Sequence, residues 1–342
     1  MHVGLIGGGN ISETHARAIK VIPNVNLSAV YGTNSEKVQH LCREYGGVPF
    51  DQFEAFLDHR PMDFVAIGSP SGLHATHGIA AARRGLHVLT EKPIDISTAR
   101  ADELIEAAET AGVTLGVMFQ DRFKSDIRRL RRWIAEGVIG EPLLIDARVK
   151  WYRPPSYYGE SKWRGTLDMD GGGVLINQAI HTVDLLLWLF GDVTHVQAQT
   201  ATMLHEIQGE DLATALLTFA NGARGVLQAT TAAFPGYPRR IEVTGKEGTV
   251  AMEQDRIVAV NLKNTSADLS VNTPSADTEN VSTPVVSDFT GHQAIFEDFV
   301  RAVRNGGDPV CNGHEGRRSI ALVEEIYRAA KTANQLAAAK KQ

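Results

Sequence analysis

Between residue 1 and about residue 118, short apolar runs alternate with segments of helical length: VGLIG, LSAVY, DFVAIG, HVLTEK and VTLGVMF are each followed by one. This alternation predicts βαβ units and hence a doubly wound parallel sheet, because parallel neighbours require long crossovers, usually helical. The helices are expected at 11–21, 35–45, 73–84 and 97–111, with Ser35 and Ser97 as N-caps. The pattern then changes. A basic helix at 126–136 precedes a strand at 142–151, an irregular segment at 152–170, a helix at 174–189 and several alternating segments. Asn221-Gly222 and Lys246-Glu247-Gly248 punctuate those segments as hairpins, so a mostly antiparallel sheet is expected there. A polar stretch at 263–288 reads as a solvated loop, and helices at 292–304 and 313–339 close the chain.

With 342 residues, two domains are expected, since single cores stop growing at roughly 250–300 residues. We place them at 1–120 and 121–342, with the closing helices 292–339 packing back toward the first. The fold class is α/β: a doubly wound parallel domain and an α+β domain with a mostly antiparallel sheet. A net charge of -6 gives no electrostatic reason to expect nucleic acid or an anionic membrane as partner. Cys42 and Cys311 form no disulfide framework, and neither a leader nor a spanning segment is read, so a cytoplasmic location is expected.

Gly7-Gly8-Gly9-Asn10-Ile11-Ser12 lies between the first strand and the first helix, where a dinucleotide fingerprint belongs. Gly7 permits the turn, Gly9 permits close approach of a pyrophosphate, and Asn10 and Ile11 open the helix whose N–H groups face it. Ser12 replaces the usual third glycine. The second strand ends Tyr31-Gly32-Thr33-Asn34, without the carboxylate that would hold an NAD ribose. Thr33, Asn34 and Lys37 can donate to a 2′-phosphate, so the cofactor is NAD or NADP with NADP favoured. Glu91, Lys92 and Pro93 end a strand at the edge where ligands bind, and Ser69, Pro70 and His74 follow the preceding strand at the same edge. His74 and His77 lack a third ligand in register, so no metal site is expected.

In VLINQAIHTVDLLLWL, apolar on almost every face, Asn177, His181 and Asp184 recur at i, i+4 and i+7. On one helix they would line one side, a costly arrangement to bury without partners.

These motifs resemble the Gfo/Idh/MocA oxidoreductases: VGLIGGGNIS, SPSGLHATHGIAAARRGLHVLTEKP, DGGGVLINQAIHTVDLLLWLFG and GHQAIFEDFVRAV carry the resemblance nearly end to end. It implies a Rossmann domain, a second domain on a large open sheet, and homodimers or homotetramers formed through that sheet. It also implies that Lys92 and His181 line the substrate site. Inositol-dehydrogenase-like members carry Asp where this chain has Asn177, and Gly where it has Ala179. The stretch from Lys150 to Gly191 looks most like the nucleotide-sugar 3-dehydrogenase branch acting on UDP-linked uronic acids. Tyr152, Arg153, Tyr157, Tyr158, Trp163 and Arg164 are then expected near the mouth of the site. The implied reaction moves a hydride between a secondary alcohol of a sugar, cyclitol or nucleotide-sugar and nicotinamide. His181 would be the base and Lys92 the oxyanion donor, or the two exchanged, with Asn177 orienting the sugar and Asp184 the histidine or a ribose hydroxyl. The alternatives are a non-catalytic cofactor sensor and a redox-neutral glycosidase-type enzyme.

Overall fold

The computed structural model describes residues 1–264 and 288–339, and most of the loop expected at 263–288 lies outside the described residues. The chain divides into two compact units, Met1–Gln120 with Pro284–Ile320, and Asp121–Thr283 with Ala321–Gln342.

In the first unit the strands are β1 (His2–Ile6), β2 (Asn26–Tyr31), β3 (Val48–Phe50), β4 (Phe64–Ile67), β5 (His87–Glu91) and β6 (Leu115–Met118). All pair in parallel, in the order β3-β2-β1-β4-β5-β6. The helices between them are α1 (Asn10–Val21), α2 (Ser35–Tyr45), α3 (Phe53–Leu57), α4 (His74–Ala82) and α5 (Thr98–Ala111). Strand order reverses between β1 and β4, which opens a crevice at their carboxyl ends. Central strands are buried on both faces, with Val3, Leu5, Phe64, Val65, Ala66 and Ile67 all inaccessible, as covered parallel strands require. Ser97 caps α5 through the Arg100 N–H, as expected, but Asn34 rather than Ser35 caps α2, accepting from the Lys37 N–H at 3.0 Å.

The second unit contains α6 (Ser125–Ala135), β7 (Pro142–Lys150), α7 (Pro155–Gly159), α8 (Val174–Asn177), α9 (Ile180–Phe190), β8 (Val193–Ala201), β9 (Leu212–Phe219), β10 (Arg224–Thr230), β11 (Arg240–Gly245), β12 (Gly248–Glu253) and β13 (Arg256–Leu262). Its sheet runs β13-β12-β11-β7-β10-β9-β8, antiparallel except for the β7–β10 pair. Both expected hairpins form, Asn221-Gly222 joining β9 to β10 and Lys246-Glu247 joining β11 to β12. Ile145, Ala147 and Val149 alternate with more exposed neighbours along β7, so one face of the sheet is covered. Two helices complete the described chain, α10 (Thr290–Asn305) and α11 (Gly313–Ala339). α10 packs on α1, with the Phe299 ring 5.3 Å from that of Phe64.

One expectation is corrected. The segment 174–189 is not a single helix: α8 ends at Asn177 and α9 starts at Ile180, with the Ala179 N–H reaching back five residues to the Val174 carbonyl. That shift breaks the 3.6-residue register, so Asn177, His181 and Asp184 do not form one continuous stripe.

Candidate active site

In the first unit, the expected cofactor residues gather at the carboxyl edge of the parallel sheet. Gly7 has φ +127°, and a Cβ there would lie 2.7 Å from the Gly68 carbonyl oxygen, so only glycine fits. Gly9 opens α1 with no side-chain cap, and a Cβ placed on it would meet nothing within 4 Å. Open space beside uncapped first-turn N–H groups is what a pyrophosphate requires, so these residues fit a dinucleotide. Buried Ser12 sits beneath the turn, its Oγ 2.8 Å from where a Gly7 Cβ would be, so a small side chain takes the place of the third glycine. Thr33, Asn34 and Lys37 are exposed after β2, and the Lys37 Cβ lies 3.5 Å from a Cβ built on Gly8.

At the ends of β4 and β5, His74 is buried, with its ring nitrogens 2.7 Å from the Pro93 carbonyl oxygen and 2.9 Å from that of Ser69. The Asp95 carboxylate accepts from the Ala75 and Ile96 N–H groups. These contacts fix the Lys92-Pro93 turn against the start of α4. Ser69 and Pro70 remain half-buried at this edge, as does Lys92.

Glu91 points into the interior instead. Its Oε1 lies 2.9 Å from His15 Nε2 and 3.6 Å from His292 Nε2, and its Oε2 accepts from the Lys92 N–H. Burial alone would raise the Glu91 carboxyl, but the hydrogen bond from His15 and the close His292 ring hold it well below the usual range. Burial lowers the His15 ring, so it stays neutral and donates through Nε2. The three side chains offer metal-type donors within 4.8 Å of one another. His15 Nδ1, however, has no hydrogen-bond partner, whereas a metal-bound histidine normally donates its second N–H. The cluster reads as a hydrogen-bonded anchor for the lysine turn, and neither His15 nor His292 carried a local sequence signal for it.

In the second unit Asn177, His181 and Asp184 separate by environment. Asn177 and His181 are half-buried, while Asp184 is inaccessible. The Asp184 carboxylate takes both arms of Arg122, at 2.8 and 2.6 Å, and that guanidinium lies over the Trp188 ring. Asp184 is thus engaged in a buried ion pair rather than placed at an accessible surface, where a sugar or ribose contact would need it. The Asn177 side chain donates to both oxygens of buried Asp170 at 2.8 and 2.9 Å, a partner the sequence reading did not assign. Asp121, also unassigned, stands with Oδ2 at 3.8 Å from His181 Nδ1.

The 152–164 segment folds onto the same helix junction. Gln178 donates to the Tyr157 hydroxyl at 3.3 Å, and the guanidinium groups of Arg153 and Arg164 lie 5.4 and 4.3 Å from the Tyr157 ring centre. Arg153 also covers Trp151, and Arg164 also covers Trp163. Tyr152 packs edge-on against Phe234, at 5.2 Å between rings. Behind the junction, Glu210 accepts from the Gly173 and Leu175 N–H groups and from the Tyr327 hydroxyl. Burial pushes its carboxyl up to about 7.

Two family models match the chain. Residues 1–119 match the oxidoreductase family with an NAD-binding Rossmann fold, and residues 127–251 match the GFO/IDH/MocA C-terminal domain. The WlbA dehydrogenase of Bordetella pertussis, solved with NADH and UDP-GlcNAcA, is 31% identical with a TM-score of 0.86, over 97% of this chain and 96% of that one. The chain belongs to the Gfo/Idh/MocA oxidoreductases. Within the family it is also similar to the D-apiose dehydrogenase of Paraburkholderia graminis, at 27% identity over 96% of this chain and 87% of that protein. The myo-inositol 2-dehydrogenase of Thermotoga maritima is 26% identical over 94% of each chain. The resemblance read from the glycine turn, the Glu91-Lys92-Pro93 turn and the later histidine is borne out at the level of family and fold.

Proposed function

We propose that this oxidoreductase oxidises a secondary alcohol on a nucleotide-linked, acidic sugar. The observation that carries the substrate class is the placement of half-buried Arg164 on the Tyr157 ring, with buried Arg153 on the same ring, next to the junction bearing Asn177 and His181. Guanidinium groups pair with phosphate and carboxylate oxygens two at a time, and aromatic faces suit bases and pyranose rings. Similarity to the WlbA dehydrogenase supports this reading.

When bound, the oxidised nicotinamide supplies the hydride acceptor. His181 takes the hydroxyl proton, a task suited to an imidazole at neutral pH, and the Lys92 ammonium stabilises the oxygen as negative charge develops. Asn177, held by Asp170, orients the sugar. Asn34 commits its Oδ1 to the Lys37 N–H, and Thr33, Asn34 and Lys37 remain exposed as donors after β2, which favours NADP over NAD. A KM for NAD well below that for NADP would overturn that choice.

The more exposed face of the second sheet, with Leu144 and Leu216 more than half exposed, is assigned to a second copy of the chain. A cytoplasmic location is part of this reading, and Cys42 and Cys311 form no disulfide among the described residues. No helix among the described residues is long and apolar enough to cross a membrane.

The function is tested with a panel of UDP-sugars, free aldoses and cyclitols, followed by absorbance of the reduced nicotinamide. Turnover is expected with UDP-linked uronic acids. Activity confined to uncharged free sugars or cyclitols would overturn the substrate class.

A further inference from the structure

The second unit surrounds His181 with a charge network that periodicity does not reveal. Asp121 lies in the 3₁₀ turn Gln120–Phe123 just ahead of α6, and its Oδ2 is 3.8 Å from His181 Nδ1. The same oxygen accepts from Arg239 at 2.7 Å, and the other arm of Arg239 pairs with Asp255. Arg239 is therefore clamped between two carboxylates, which fixes the Asp121 side chain in place. The other charged groups nearby are Lys124, which acts on the Asp121 charge, and the Arg122–Asp184 pair one turn further along α9. Burial opposes ionisation of Asp121, but the Arg239 charge and then His181 bring its carboxyl down to about 2, so it is an anion at every working pH.

We propose that Asp121 is a positioning residue for His181: its carboxylate, clamped by Arg239, holds Nδ1 as the protonated ring nitrogen and makes Nε2 the proton acceptor. The inference rests on His181 being the base. As the substrate O–H breaks, its proton forms a bond to Nε2 and the oxygen electron pair closes to C=O. The C–H pair leaves as hydride to the oxidised nicotinamide. The imidazolium so formed faces Asp121, which offsets its charge. At 3.8 Å the contact is longer than a hydrogen bond, and catalytic contacts commonly tighten only when substrate binds.

The test is nitrogen-15 NMR of the histidine rings in the full chain without substrate, with His181 assigned by its loss in His181→Gln. Wild type is expected to show the Nδ1–H tautomer. Asp121→Asn is expected to populate Nε2–H and to titrate His181 at lower pH, because an anionic neighbour is lost. The base limb of the kcat/KM profile moves the same way, kcat falls about tenfold or more with KM little changed, and Asp121→Glu restores part of the loss. An Nε2–H tautomer in wild type, or an unchanged tautomer and titration in Asp121→Asn, overturns the proposal. The wild-type spectrum decides even where the asparagine variant fails to fold. Because the spectra need neither substrate nor cofactor, a wrong substrate class or a failed reaction assignment leaves this reading separately testable.

Discussion

At the scale of single residues, burial separates side chains that sequence spacing groups together. Asn177, His181 and Asp184 are alike in type and period, yet Asp184 is locked by Arg122 in an inaccessible ion pair while the other two remain partly accessible. The consequence divides cleanly between stability and activity. Arg122→Ala removes the two-armed partner of a buried carboxylate and is expected to cost about 3–5 kcal/mol of stability, measured by urea unfolding. His181→Ala and Lys92→Ala are expected instead to lower kcat by about 10² or more while cofactor still binds, as steady-state kinetics with a separate binding titration will show. Unchanged kcat in both variants would remove them from the chemistry. His181 was legible because a histidine on an apolar segment is conspicuous. Its neighbour Asp121 was not, since the two lie 60 positions apart and only tertiary folding brings them together.

At the scale of elements, local rules carried far where the chemistry is local. The glycine turn after β1, the Ser97 cap of α5 and the Asn221-Gly222 hairpin all form as their residues dictate. The break between α8 and α9 was illegible, because it carries neither proline nor glycine: the sequence there is Asn177-Gln178-Ala179-Ile180. Tertiary contacts accompany it, with Asn177 held by Asp170, Gln178 by Tyr157, and the start of α8 by Glu210. A Cβ on Gly173 would fall 1.8 Å from the Glu210 carbonyl oxygen, so Gly173→Ala must separate these two backbones and is expected to lower both stability and activity. Glu210 gives this element a pH dependence. Its folded-state carboxyl is raised from 4.5 to about 7, so the protonated folded form is favoured. Its stability contribution is complete below 4.5 and is lost as pH rises to about 7. Glu210→Gln is expected to flatten that part of a Tm-against-pH curve, and an unaltered slope would contradict the assignment.

At the scale of the whole molecule, the alternating apolar runs announced the parallel sheet and the hairpin signals announced the antiparallel one. Long-range closure was less visible: His292 reaches Glu91 across some 200 positions, and Tyr327 reaches Glu210 across 117. Such pairs leave no periodic trace, because each partner obeys the local pattern of its own element. The exposed leucines on the second sheet lead to a prediction about assembly. Leu216→Asp is expected to shift sedimentation toward monomer without changing the monomer's fold, and a wild type that sediments as monomer would refute the assigned partner. The reaction itself is tested most directly by counting reduced nicotinamide against substrate consumed, with a UDP-linked uronic acid and oxidised cofactor in excess. The expected result is one reduced nicotinamide per substrate in the wild type and severe slowing in His181→Ala. Consumption of the sugar without net cofactor reduction would contradict the dehydrogenase assignment.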